Sequence, residues 1–385
     1  MTAHAILSAS GAHRWLACPA SARLEQEFPD STSTYAEEGT LAHALAELEL
    51  RHFLGGLTWE DYESILEPIA SNPLYSGEMY DYVQQHVDLV IERINAARAA
   101  TPDALVFLEQ RLDFSRWVPD GFGTGDVVII ADGTLEVIDL KYGKGVPVSA
   151  EGNPQIRLYG LGALDSFGTL YEIDRVRMTI VQPRLDSIST EEMSVEDLVT
   201  WGDTVVLPAA MLAYSGEGPY AAGEHCQFCR AKAQCRARAE ANLELAKYDF
   251  RAPALLTHEE IAEILSRAEE LQKWAADLQA YALDQAVNHG VRFPGWKLVE
   301  GRSNRKYEDE AQVTAALLAE GYTEEQIYEK KLLGISAMEK LLTKKRFETI
   351  LGGLVVKPEG KPVLVPESDK RPEINSVASA QADFR

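Results

Sequence analysis

The sequence predicts an α/β fold in which a small sheet is sandwiched by helices. Three observations carry this. Apolar residues recur at helical spacing over 36–54 and 77–99. From Val106 the pattern changes to strand-like alternation in VFLEQRLDF (106–114), followed by the short β-rich runs GDVVII (125–130) and LEVIDL (135–140). A helix and a further strand then follow, giving the core order helix, three strands, helix, strand.

Each element has its own signal. Thr40 serves as a start signal in the helix over 36–54. Asn153-Pro154 opens a helix running through Phe167, with Asn as cap and Pro at the first helical position. RVRMTIV (175–181) reads as a strand and the region near 195–213 as a helix. A cysteine-rich patch occupies 225–240, a long helix 257–289, a hairpin 295–308 and short helices 309–351. From Lys357 the chain has four prolines and few aromatics, so it is expected to be extended or disordered. The expected organisation is a domain over 1–244, a mainly helical extension over 245–356 and a tail over 357–385.

Composition bounds the function. Over 385 residues, 46% are apolar and 25% charged, which is globular usage and excludes disorder, collagen and low complexity. No stretch approaches 18 consecutive apolar residues, so no membrane-spanning helix is expected. The opening MTAHAILSASGAHRWLACPA lacks a basic segment followed by an apolar run, so no secretory signal is expected. In a reducing cytoplasm, the expected location, four cysteines in a chain this long read as metal ligands or core fillers. The 37 Lys+Arg against 60 Asp+Glu give a net charge of −23, which argues against broad adhesion to nucleic acid or anionic membrane but leaves room for a local basic groove. Residues 25–70 hold eleven acids and only Arg51 as a cation, whereas Arg230, Lys232, Arg236 and Arg238 place four cations within nine residues. A polyanion would approach the second region.

The first chemical constellation is a carboxylate pair. Asp132-Gly133 between the second and third strands is a two-residue hairpin signal, and this turn pairs Ile130 with Leu135, Val128 with Val137 and Asp126 with Asp139. Opposed residues hold Cβ atoms about 4.5–5.5 Å apart on one sheet face, which Lys141 shares. Two such carboxylates repel unless they shift pKa or are neutralised. A Mg²⁺ or Mn²⁺ ion resolves the conflict, and the lysine then stabilises developing phosphate charge or helps to generate hydroxide. The alternative is a pair at exposed strand ends with Lys141 as an ordinary ion-pair partner, and a three-residue loop would shift the register. The second constellation is Cys226, Cys229 and Cys235 in the spacing C-x₂-C-x₅-C, with Cys18 as the remaining cysteine. Zinc through Cys₃His with His225 or through Cys₄, and an iron–sulfur cluster through Cys₄, both satisfy this spacing.

The motifs GTLAH (39–43), GTGD (123–126), IDLK (138–141) and QIRLY (155–159) occur in that order. This resembles the PD-(D/E)XK nuclease superfamily in its RecB-like branch, over residues from about 8 to 240. The resemblance implies a small mixed β-sheet flanked by helices, with an N-terminal helical region and a helical C-terminal extension. It implies that His43, Asp126 and Asp139 are metal ligands together with the Leu140 carbonyl, and that Lys141 is the catalytic lysine. Gln155 and Tyr159 would orient the site or contact DNA; their spacing alone puts them on one helix face. Glu109 is a candidate accessory carboxylate, and Glu47, one turn beyond His43, a candidate partner for its ring. An imidazole ligand would suit Mn²⁺ better than Mg²⁺.

A distant cysteine ahead of these motifs with a triplet after them resembles the iron–sulfur nucleases of the same group, the AddB subunit and the CRISPR-associated adaptation exonucleases. By that resemblance Cys18, Cys226, Cys229 and Cys235 hold a [4Fe–4S] cluster. It would act as a staple closing a loop of about two hundred residues. Arg230, Lys232, Arg236 and Arg238 beside it would meet the DNA backbone. The implied function is a metal-dependent DNA exonuclease of phage or prophage origin, serving recombination or replication. Its substrate would be single-stranded DNA or duplex ends, with phage recombination or single-strand-binding proteins as partners. A zinc-stapled nuclease and a non-catalytic DNA-binding scaffold are the alternatives.

Overall fold

The computed structural model describes residues 5–29, 34–244, 256–299, 307–329, 331–342 and 344–356. The chain opens with two short helices, α1 (Ala12–Ala17) and α2 (Ser21–Leu24). The expected helix over 36–54 is α3 (Thr34–Phe53), and that over 77–99 is α5 (Gly77–Ala100). Between them lies α4 (Trp59–Ala70), begun by a reciprocal cap in which the Thr58 side chain accepts from Asp61 N–H and the Asp61 carboxylate accepts from Thr58 N–H.

Five strands follow: β1 (Leu105–Asp113), β2 (Phe122–Ala131), β3 (Gly133–Leu140), β4 (Ile173–Gln182) and β5 (Ser187–Ser194). They lie in the order β1-β2-β3-β4-β5, antiparallel throughout except for the parallel β3–β4 pair. The crossover between the parallel strands carries α6 (Pro154–Phe167), where Asn153 accepts from Gln155 N–H and Pro154 takes the first helical position, as the sequence predicts. β5 was not expected. Its sequence SISTEEMS has few apolar residues, because one edge of this strand has no neighbour in the sheet and none of its eight residues is buried, three being exposed.

The expected β2–β3 register is observed: Ile130 pairs with Leu135 and Val128 with Val137 around the Asp132-Gly133 turn. Gly133 has φ +78°, a conformation that favours glycine. The ladder ends at Val127 and Ile138, however, one step short of the expected Asp126–Asp139 pair.

Two apolar layers cover the sheet. Val128, Ile130, Leu135, Val137 and Met178 pack on the side of α6, while Val127, Ile129, Ile138 and Leu140 pack on the side of α3 and α5. The region expected as one helix near 195–213 is α7 (Val195–Trp201) and α8 (Leu207–Ser215) joined by a π-turn over Gly202–Val206. Gly202 is required there, since a Cβ would stand 2.7 Å from the Trp117 indole nitrogen. After the cysteine loop come α9 (Arg236–Leu243) and α10 (His258–Asn288).

The chain divides into two compact units between His289 and Gly290, so α10 falls with the first. The segment expected as one extension over 245–356 is thereby split. In the second unit α11 (Glu310–Ala319), α12 (Glu324–Ile327), α13 (Ile335–Leu342) and α14 (Lys344–Leu351) are the expected short helices. No strand occurs at 295–299, and 300–306, the middle of the expected hairpin, lies outside the described residues, as do 245–255 and the tail from 357. Among the described residues no helix is long and apolar enough to cross a membrane.

One close approach ties the sheet to α6. A Cβ at Gly123 would stand 2.6 Å from Tyr159 Cε1, a distance that side-chain packing does not tolerate. Gly123→Ala should therefore cost about 1–3 kcal/mol in denaturant unfolding by forcing the ring aside. An unchanged midpoint would contradict this packing.

Candidate functional site

The site forms where β1 and β2 change the face to which they point. On β1, Phe107 packs on the α6 side and so does Leu112, five residues later, so the alternation slips by one. On β2, Gly123 faces Tyr159 of α6 while Val128 packs in the same layer, again five residues later. The slip on β1 falls at Glu109, which has φ +48° and is missing from a ladder that runs from Leu108–Val127 directly to Gln110–Gly125. A left-handed backbone at a non-glycine residue costs on the order of 1–3 kcal/mol and concentrates at functional sites. Its effect here is to bring Glu109 and Asp126 toward the α3 side of the sheet.

There Asp126 Oδ1 lies 3.3 Å from His43 Nδ1 of α3. Among the described residues, ligand atoms of His43, Glu109 and Asp126 come within 4.8 Å of one another. Asp126 Oδ2 accepts the Leu140 N–H at 2.7 Å, so the main chain of Leu140 reaches the same point from β3. Asp139 is 3% exposed, and its Oδ2 lies 2.9 Å from Lys141 Nζ. That approach is an ion pair without hydrogen-bond alignment, since Oδ2 has no hydrogen-bond partner. Lys141 is anchored at both ends: its N–H donates to Val181 O at 2.8 Å, and its Nζ donates to Gln155 Oε1 at 3.0 Å. Gln155 Nε2 in turn donates to the Tyr159 hydroxyl at 3.3 Å, one turn along α6. His43, Glu109, Asp126 and the Leu140 N–H thus form one group, and Asp139, Lys141, Gln155 and Tyr159 a second. Among the described residues Asp139 is not one of the donors within 4.8 Å, and it reaches Asp126 and His43 only through its charge.

The electrostatics separate the two aspartates. Burial works to raise Asp126, but the His43 ring and the Leu140 N–H outweigh it and hold its carboxyl below the usual range. Asp139 is pushed up, by burial first and by the Asp126 charge, with Lys141 opposing. Burial works to lower Lys141, yet Asp139 raises it. Glu109 rises to about 7 through burial and the neighbouring Asp126. His43 rises to about 9: burial lowers it, and Asp126, Asp139 and Glu109 more than reverse this. His43, with 32% of its side chain exposed, is the member of the site that solvent reaches.

Two details depart from expectation. Glu47 pairs with Arg51, not with His43. His86 of α5, not assigned to any role from the sequence, is 1% exposed, carries an unpartnered Nδ1 and is coupled electrostatically to Asp126. Burial lowers it to about 4, so it stays neutral. Its place on the apolar stripe of α5 reads as core, and no sequence signal marks it.

The second assembly is the cysteine pocket. Cys18, Cys226, Cys229 and Cys235 line one pocket with Arg14, His225, Lys232 and Arg238, and all four cysteines are free thiols. Main-chain N–H groups of Ala221 and Gly223 point at Cys18 Sγ and Cys226 Sγ, each at 3.4 Å. Glu25 fastens the N-terminal helices to this loop: it takes the Arg14 guanidinium at 2.7 Å and the Arg230 N–H at 2.8 Å. His225 Nε2 bonds Ala221 O at 2.9 Å, and hydrogen bonding of the protonated ring to the Cys18 and Cys226 sulfurs raises its pKa to about 10. Four convergent sulfurs, amide donors aimed at two of them and cations in the lining make a donor set that fits a thiolate-bound metal centre.

The basic patch is not the open face that the sequence suggests. Arg238 is 1% exposed and gives Nε to Glu270 and Nη1 to Asp277, each at 2.6 Å, while Lys232 Nζ meets Asp277 at 2.8 Å. Both acids come from α10, so Lys232 and Arg238 direct their charge inward, whereas Arg230 and Arg236 remain on the surface.

The chain matches, over residues 4–372, the family described as "Protein of unknown function (DUF2800)". A solved structure, the crystal structure of SSO0001, aligns with 60% of this chain and 85% of its own at 14% identity and a TM-score of 0.26.

Because His43 normally titrates at 6.5 and here near 9, its ion pair with Asp126 stabilises the fold fully below about pH 6.5, and that contribution is lost as pH rises through 9. NMR titration of the His43 ring in metal-free protein should show a midpoint near 9. In Asp126→Asn burial is no longer opposed by that carboxylate, and the midpoint should fall by at least one unit.

Proposed function

The chain belongs to the DUF2800 family, and for it we propose the activity of a metal-dependent deoxyribonuclease that hydrolyses phosphodiester bonds. One observation carries the reading: a pair of His43 and Asp126 from α3 and β2 stands in the field of a second pair, Asp139 and Lys141 of β3 and its end, backed by Gln155 and Tyr159 of α6. The pair of carboxylates with divergent proton affinities is the arrangement expected of a hydrolytic centre. Oxygen ligands from Asp126 and Asp139, the Leu140 carbonyl and a nitrogen from His43 would hold Mg²⁺ or Mn²⁺, with Glu109 as a further oxygen donor. Bound there, the ion would acidify its water and polarise the scissile phosphate.

The remaining chemistry belongs to the side chains. Asp139 keeps Lys141 protonated, so the lysine acts as a fixed cation and hydrogen-bond donor to the phosphate oxygens rather than as a base. Gln155 gives the ammonium group a second anchor besides Asp139. Tyr159, whose pKa burial raises, stays a neutral phenol available as a donor. None of these groups reads a base, so the proposed recognition is of the backbone. Exonuclease action on single-stranded DNA or duplex ends, in recombination or replication of phage or prophage, is the role we propose for it.

At the cysteine pocket we propose a [4Fe–4S] cluster on Cys18, Cys226, Cys229 and Cys235. Four thiols lining one pocket, with main-chain N–H groups directed at two of the sulfurs, are the support for that reading.

With Mn²⁺ and end-labelled single- and double-stranded DNA, the native chain should release nucleotides. Asp139→Ala should abolish release, and Lys141→Ala should slow it by about 10²–10³-fold, with circular dichroism unchanged in both. Undiminished cleavage by Asp139→Ala would remove the active-site assignment.

A further inference from the structure

The cysteine pocket contains one cation whose bonding is incomplete. Arg238 is 1% exposed, fully enclosed at the start of α9 three residues after Cys235. A guanidinium carries five N–H donors in a fixed plane. Nε is used by Glu270, and Nη1 by Asp277 and by Lys232 O at 3.3 Å. Nη2 is buried and has no hydrogen-bond partner. A buried, unsatisfied charged donor is costly, and a folded chain retains one only where something answers it.

The lining supplies the answer. Arg238 shares the pocket with all four cysteines, Arg14 and Lys232, while Glu270 and Asp277 are outside the lining. The Arg238 guanidinium therefore stands between the pocket and the acids of α10, with Nη2 as the edge those acids leave unused. Four thiolates around a [4Fe–4S] core leave a net negative charge, which a dry site must compensate. We infer that Arg238 is the residue that compensates and hydrogen-bonds the cluster through Nη2, held in place by Glu270 and Asp277 as positioning residues. Helix α10 then has a stated role: it clamps the guanidinium plane so that the remaining edge meets sulfur. A lysine there would give charge without the fork that satisfies two acids and a sulfur together.

The inference rests on the cluster reading above, and one experiment separates the two. The full chain is purified anaerobically, assayed for iron and acid-labile sulfide, and titrated for the midpoint potential of its metal centre. Hydrogen bonds to cluster sulfur raise the potential. Arg238→Gln should therefore hold a cluster whose potential is displaced to more negative values and which a chelator strips at least tenfold faster. An Arg238→Gln protein with native iron, native potential and native loss rate overturns the role of Arg238 and leaves the cluster in place. Zinc or no metal in the native chain overturns the cluster and the inference together. Should Arg238→Gln fail to fold, Arg238→Lys decides: a displaced potential supports the assignment and a native one overturns it.

Discussion

Like charges gathered in one partly dry place govern this molecule. Asp126, Asp139 and Glu109 come from three adjacent strands to a single level of the sheet, where the Asp126 charge raises the cost of ionising the other two. The surroundings answer that repulsion piece by piece. His43 leans in from α3, the Leu140 N–H caps Asp126, and Lys141 lies against Asp139. Even the backbone concedes, since Glu109 takes a left-handed conformation that an ordinary strand residue avoids. Helix α6 then holds the lysine through Gln155, and Gly123 lets the Tyr159 ring close over the strand. A fold seeking stability alone would have placed apolar residues here, as it does at Val127, Val128, Ile129 and Ile130 on the same strand.

Much of this was legible in the amino-acid sequence because the signals are local. Asp-Gly sets a two-residue turn, the turn sets the register, and the register brings β2 and β3 together. Asn153-Pro154 sets the start of α6, which places Gln155 and Tyr159 on one face. What escaped depends on tertiary context. The slip of facing at Glu109 and Asp126 cannot be seen in a periodicity of two, so the direct Asp126–Asp139 pair was expected where the ladder in fact stops. β5 escaped because an exposed edge strand lacks the apolar alternation that marks its neighbours. His86 escaped because a histidine on an apolar helical stripe is indistinguishable from core until Asp126 is found beside it.

Charge placement is the other lesson. The four cations of 230–238 looked like a polyanion surface, yet two of them turn inward to α10. A run of cations in sequence carries no information about the acids that a later helix brings to it. The cysteines escape this difficulty, since soft donors at short spacing have few other uses in a chain with four of them. The pocket joins residues 18 and 235, and Glu25 makes the same junction by ordinary hydrogen bonds. The two ends of the sheet-bearing region are thus fastened by the protein itself as well as by any centre that the thiols hold.

The central claim is that the acids of β2 and β3 share one cation. Crystals of the native chain soaked in Mn²⁺, with anomalous differences collected at the manganese edge, test it most directly. The account places a peak within about 2.0–2.4 Å of carboxylate oxygens of both Asp126 and Asp139 and of a His43 ring nitrogen. A peak elsewhere, or an Asp139 still paired with Lys141 and untouched by metal at saturating Mn²⁺, would contradict it.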